Sequence, residues 1–388
     1  MDQERGEFGV STGVPRLVEP SSGLTAADPL EFGTIAGRTP WQLFWRNFKK
    51  DKVALAGLVF IVLLVIAAIA APLITKLIGA SPPNLINTDA LDSFGTATGP
   101  SSEHLFGVDP LGRDVLSRTL YGARVSLEVA LISTALATFI GVVLGLVAGF
   151  FRGWVDSGIS RLMDVLLAFP ALLLALGLAA ACSLGDGCAV STPLQAAGLA
   201  TVVAGLLGAA LSLARGRREM VAASLVVVGF GLFFALLGTF FTIKIEPGAG
   251  VVIFVITLVS WTYIARIVRG QVLSLREKEF VEASRSLGAS DSRIVFKEIL
   301  PNLIVPIIVY ATLILPTNIL LEAALSFLGA GVQPPNASWG AMIAEATSVF
   351  DTAWWYMLVP GLALLFTVLA FNVVGDGLSD ALNPRQEG

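Results

Sequence analysis

Eight apolar runs of membrane-spanning length restrict what this 388-residue chain can fold into more than any other feature. They lie at about 53–75, 125–150, 161–182, 190–213, 220–243, 249–268, 302–325 and 356–376. Each is close to the ~20 residues a helix needs to cross a hydrocarbon core. Charged residues are 14% of the chain, against roughly 25% in ordinary soluble domains. The predicted fold class is all-α, a polytopic membrane protein with about eight transmembrane helices.

Lysine and arginine then set the orientation, because cytoplasmic loops carry their excess. With the N-terminus inside, 20 of the 25 fall in inner segments, and Lys76, Arg113, Arg118, Arg124 and Lys244 fall outside. Both termini are predicted to be cytoplasmic. Residues 1–40 mix Gly, Pro, Ser and both charges without periodicity and read as a disordered tail. Trp41 to Lys50 is aromatic, basic and amphipathic, so 41–75 reads as an interfacial helix plus the first transmembrane helix. Residues 76–124 form an extracytoplasmic loop. The first apolar run begins at Val53, too late for a cleaved signal peptide.

One polar segment stands between two apolar ones, from Ala265 to Pro301, with seven Lys and Arg residues between Arg266 and Lys297. Phe280, Ala283, Ser284 and Leu287 recur at helical spacing and make an apolar stripe. Lys278, Glu282 and Arg285 are three or four apart and can pair on a neighbouring face. Gly288 stops the helix. Two readings fit: a short amphipathic helix at the membrane surface, or a solvated loop.

Glu282-Ala283-Ser284, then Gly288, then Leu300-Pro301 resembles the EAA loop of ABC-importer permeases. Ser284 stands where a second alanine is usual, and Glu298 occupies the usual isoleucine slot beside Ile299. The stretches Phe106 to Arg118 and Glu322 to Pro335 resemble the C-type permease of dipeptide, oligopeptide and nickel importers. The similarity runs from about Trp41 to Arg385. It implies a type I, MetI-like permease core over 125–182 and 247–382, with 265–301 as the cytoplasmic coupling loop. Phe280, Glu282, Ala283, Ser284, Arg285, Leu287 and Gly288 would then dock on a separate ATPase. Residues 183–246 are absent from the family pattern and read as an inserted transmembrane hairpin around Arg215, Arg217 and Arg218; two added spans leave every later loop on its own side.

Other candidates carry two readings each. Gly141, Gly145 and Gly149 align into a groove for close helix packing, or their spacing is coincidental. Cys182 and Cys188 bracket a short outer loop and form a disulfide, or are two free thiols. Asp109, Asp114 and Glu128 with three arginines form a salt-bridged turn and helix rather than an acid–base site. Pro306 and Pro316 interrupt a helical run, and with Pro301 they are hinge candidates, as is the neighbourhood of Arg269. Glu322, an acid near the outer end of a span, is a pathway or structural residue; the bland alternative is a carboxylate reaching outer water. Trp339, Trp354 and Trp355 suggest interfacial anchoring, or docking of a binding protein.

There is no phosphate loop, no His-Glu-x-x-His and no Gly-x-Ser-x-Gly, so neither an ATP site nor a hydrolase is expected. With two cysteines and one histidine, no metal site is expected either. The resemblance implies one half of the pore of an ATP-driven importer of di- or oligopeptides in a bacterial inner membrane. Its partners would be a homologous B-type permease, two ABC ATPases that use ATP and magnesium, an extracytoplasmic binding protein and the lipid bilayer, with no nucleic acid. Nickel or a metal chelate is the alternative cargo. An intramembrane enzyme would need convergent polar groups, and a secondary carrier would need inverted repeats.

Overall fold

In the computed structural model two aspartates start the first membrane-length helices. Asp51 accepts hydrogen bonds from the N–H groups of Val53 and Ala54 and begins α2, Lys52–Ile69. Asp114 accepts from Ser117 N at 2.8 Å and begins α4, Val115–Phe150. Both satisfy N–H groups that a helix start leaves open. The structure describes residues 40–183, 188–189, 244–245 and 248–382, with six further positions between 202 and 228. The expected tail, most of the fourth and fifth apolar runs, the basic turn at 215–218, the exit at Arg385 and the side chains of Cys182 and Cys188 lie outside the described residues.

Ahead of α2 lies α1, Pro40–Phe48. Phe44 and Phe48 stack with ring centroids 5.8 Å apart and are buried with Ala54 and Ala381. That side of the expected interfacial helix therefore faces its own chain, while Trp45 stays exposed. The first apolar run breaks at Ala70 and resumes as α3, Ala71–Leu77. At about 1.5 Å per residue, the 36 residues of α4 span ~54 Å, well beyond a ~30 Å hydrocarbon core. Its first turns hold Arg118 and Arg124, which is why hydropathy alone starts the span at 125.

The third apolar run is not one straight span. It divides into α5, Trp154–Ala168, and α6, Ala171–Ser183, whose axes bend by 89°. Pro170 lacks an N–H, and Phe169 takes the extended conformation (φ −84°, ψ 139°) that a residue before proline prefers. Then follow α7, Ala249–Leu275; α8, Glu279–Ser286; and α9, Asp291–Phe327, with a π-helical turn at Ile294–Ile299. The last two helices are α10, Trp339–Ala346, and α11, Trp354–Leu382. Among the described residues five helices are long and apolar enough to cross a membrane, six counting α5–α6 as one. Six apolar runs were expected outside the insertion.

Two short strands, β1 (Cys188–Ala189) and β2 (Lys244–Ile245), pair antiparallel, Cys188 opposite Ile245 and Ala189 opposite Lys244. The chain between them leaves and returns at one place.

The tightest seam joins α4 to α7, which run in the same direction. A Cβ on Gly141 would come within 2.6 Å of Ile264 Cβ; on Gly145, within 2.7 Å of the Ala265 carbonyl; on Gly149, within 2.6 Å of Val272 Cβ. Each glycine receives one turn of α7, and only a missing side chain allows that approach. Overpacking of this kind costs about 1–3 kcal/mol per site. The double variant Gly141→Ala/Gly145→Ala should therefore unfold several degrees lower in detergent, read by fluorescence-detected size exclusion after heating. An unchanged midpoint would mean that α7 can back away without strain.

Three of the apolar clusters hold the spans together. Ile61, Leu127, Ile319, Trp339 and Phe371 join α2, α4, α9, α10 and α11. Val129, Ala175, Val255 and Leu325 join α4, α6, α7 and α9. Leu146, Val268, Val281, Ile294 and Leu303 gather beneath α8.

Candidate coupling surface and groove

Among the described residues, one side chain of α8 is fully buried. Val281 is 0% exposed and belongs to the cluster beneath it. Phe280 is 38% exposed and Leu287 is 88% exposed, with Glu282, Ala283 and Arg285 also exposed and Ser284 half-buried. The apolar stripe read from spacing is thus largely presented outward. Leu287 closes the helix, and Gly288 follows at φ +79° with open space around it. Lys278, Glu282 and Arg285 form no ion pair among the described residues, contrary to expectation. Glu277 instead pairs with Arg152 and Arg276.

Arginines fasten the segment leading into α8. Arg276 Nη1 donates to the carbonyls of Gly149 at 2.7 Å and Phe150 at 3.3 Å, occupying acceptors that the end of α4 leaves open. Arg269 forks onto Asp156 of α5, and Arg266 reaches Asp164. Arg269 lies inside the unbroken α7 and is held, so it is a clamp and not a hinge. Pro301 sits in the first turn after the π-helical stretch, whereas Pro306 and Pro316 lie within α9 without ending it.

An open groove of about 560 Å³ runs between α6, α7 and α9, lined by Leu172, Tyr263, Tyr310, Leu313, Thr317 and Asn318, among others. Its size falls in the range of small-ligand sites. Behind it Asn318 accepts from Ser260 Oγ at 2.7 Å and donates from Nδ2 to Thr134 Oγ1 at 2.8 Å. This buried polar bridge ties α4, α7 and α9 together. Sequence reading missed it: each residue is one of several polar groups in its own apolar run, and nothing in a single run says which others it meets.

Glu322 is 0% exposed, so it does not reach outer water. Its Oε1 accepts from Ser326 Oγ at 2.8 Å. The Ser326 hydroxyl also accepts from Val332 N at 3.2 Å, so Glu322 helps to pin the turn that follows α9.

At the opposite end from α8, Asp109 is 0% exposed and Arg118 1%. Asp109 Oδ2 lies 2.5 Å from Arg113 Nε and 3.6 Å from Arg118 Nε. Both arginines also reach Glu345 of α10, at 2.8 and 3.5 Å, and Tyr356 donates its hydroxyl proton to the same carboxylate. Burial works against the charge of Arg113, but Asp109 and Glu345 outweigh it and hold its pKa above the usual value. Two expectations are corrected here. Asp114 meets His104 Nδ1 at 2.9 Å instead of an arginine, and Glu128 forms no ion pair among the described residues. Trp339 and Trp355 are buried, their indole N–H groups donating to the carbonyls of Thr119 and Val108; Trp354 alone of the three is exposed.

Residues 202–388 match the family described as the binding-protein-dependent transport system inner membrane component. Residues 39–91 match the N-terminal transmembrane domain of oligopeptide transport permease C. The chain is 36% identical over 351 residues to the glutathione transport system permease protein GsiD of Escherichia coli O6:K15:H31, covering 90% of this chain and 92% of that one. It is 35% identical to the dipeptide transport system permease protein DppC of Alkalihalophilus pseudofirmus, covering 90% and 91%. The MetNI methionine ABC transporter in an inward-facing conformation aligns with 18% identity and a TM-score of 0.44, over 69% of this chain and 96% of the other. This chain belongs to the binding-protein-dependent membrane permeases. Within them it is a C-type permease of the peptide and oligopeptide ABC family, a multi-pass pore-forming subunit.

Proposed function

We propose that this permease imports di- or oligopeptides and is driven by separate ATPase subunits that grip α8. The observation that carries the reading is the outward apolar face of Phe280, Ala283 and Leu287 on a helix whose one fully buried side chain among the described residues is Val281. Such a face fits a groove in another protein. The excess of Lys and Arg around α8 supports placing it, and both chain termini, in the cytoplasm. The relatives named for glutathione and a dipeptide favour peptide cargo over a metal chelate.

The chain would use no nucleotide itself. ATP and magnesium would act in two ATPases, and a second, B-type permease and an extracytoplasmic binding protein would complete the importer. The groove then forms this subunit's half of the path, with the Tyr263 and Tyr310 hydroxyls offering partners to passing peptide groups. Alternating access follows if the ATPases bind α8 differently in their open and closed states, since only differential affinity shifts an equilibrium.

Liposomes holding all five proteins should accumulate a labelled dipeptide when ATP is supplied inside them. Liposomes lacking the ATPases should not. Uptake by this chain alone, or attachment of the ATPases unaffected by removing 279–288, would overturn the proposal.

A further inference from the structure

The groove wall continues through α5 to a clamp on α7, the helix that leads into α8. α6 carries Ala171 and Leu172 into the groove, and at its other end Ala175 and Ala179 pack on α7. Beyond Pro170 the wall turns by 89° into α5, and α5 is gripped by α7. Asp156 receives Arg269 in a two-point fork, Nε to Oδ1 at 2.5 Å and Nη2 to Oδ2 at 3.1 Å. Ser160 Oγ donates to the same carboxylate at 3.2 Å. Two turns along, Asp164 takes Arg266. Asp156, Ser160 and Asp164 are four residues apart and share one face of α5.

We propose that α5 is a crank, and that Asp156 and Arg269 are positioning residues that convert movement of α7 and α8 into displacement of the α6 wall. The inference rests on the reading of α8 as the ATPase contact. A fork of two parallel N–H···O bonds fixes direction as well as distance, which a lever requires and a single point contact does not provide. The Asp156 and Arg269 side chains are 24% and 28% exposed, so the pair is only partly screened. Arg266 and Asp164, 52% and 67% exposed, act as a weaker second grip. The joint is braced on the α8 side as well, where Arg276 holds the end of α4 and Arg152 meets Glu277.

The test uses the complete importer with spin labels introduced as unnatural amino acids, so that Cys182 and Cys188 stay native. Labels at Leu173 of α6 and at Ser290 beside α8 are each measured against one at Leu369 of α11, before and after ATP is trapped with vanadate. In the unaltered chain both distances should change. In Asp156→Ala the Leu173 change should fall by at least half while the Ser290 change persists, and ATP hydrolysed per dipeptide imported should rise at least fivefold. The exchange Asp156→Arg/Arg269→Asp should restore both. Asp156→Asn, which keeps the side chain's size, repeats the measurement if the alanine variant fails to reach the membrane. Equal Leu173 movement with and without the Asp156 carboxylate overturns the crank. A Ser290 label that stays still in the unaltered chain overturns the reading of α8 itself, and the crank with it.

Discussion

Leu287→Asp is expected to weaken attachment of the ATPase subunits about a thousandfold while the permease remains folded in the membrane. Leu287 is 88% exposed and Phe280 38%, so neither contributes much to the fold of its own chain. Burying a leucine or phenylalanine fully in a partner contributes about 1.5–3 kcal/mol. A carboxylate set at the same place adds the penalty of an unpaired charge, bringing the loss to ~4 kcal/mol, or three factors of ten. Co-purification of the ATPases from solubilised membranes reads the effect directly, and peptide uptake should vanish with it. Gly288→Val attacks the same surface through the backbone. Its φ of +79° costs a β-branched residue at least ~1–2 kcal/mol, although no neighbour would be touched. Glu282→Lys, on the exposed side of α8, should also uncouple hydrolysis from uptake. Normal ATPase recovery with Leu287→Asp would show that the partner sits elsewhere.

Asp109→Ala should be the most destabilising substitution at the other end. The carboxylate accepts from the N–H groups of Leu111 and Arg113 and faces two buried guanidinium groups. Its loss leaves Arg113 and Arg118 with Glu345 as their remaining paired acid, and Arg118 Nε already lacks a hydrogen-bond partner. Removing one member of a buried charge network costs about 3–5 kcal/mol, because the other charges stay behind. The expected result is little or no protein in the membrane fraction at growth temperature and a sharply lower unfolding midpoint for what remains. Asp109→Asn keeps the backbone acceptor and should fall between. A midpoint equal to that of the unaltered chain would mean that water reaches both arginines.

The spans were legible in the sequence because hydropathy is additive along a run, and the stripe on α8 because helical spacing is local. Which way that stripe faces was not legible. Val281, buried, lies between Phe280 and Glu282, both exposed, and only the packing of Ile294, Ile299 and Leu303 beneath it picks the inward side. The break at Pro170 was hidden because hydropathy scores side chains, whereas a missing N–H acts on the backbone. The pairings of Asp156 with Arg269, of Glu345 with Arg113, and of Asn318 with Ser260 and Thr134 join residues from distant parts of the chain. A single sequence holds no sign of which partner each will choose.

The two-residue ladder at 188–189 and 244–245 bears on how such a chain could have grown. Partners across an antiparallel pair lie only ~4.5–5.5 Å apart at Cα, a gap that a two-residue turn can close. The route from α6 to α7 therefore has the same start and finish whether the bridge between them is two residues or more than fifty. Material could be spliced in or trimmed out at that neck without re-aiming either helix, which makes it a natural port for grafting a reporter domain.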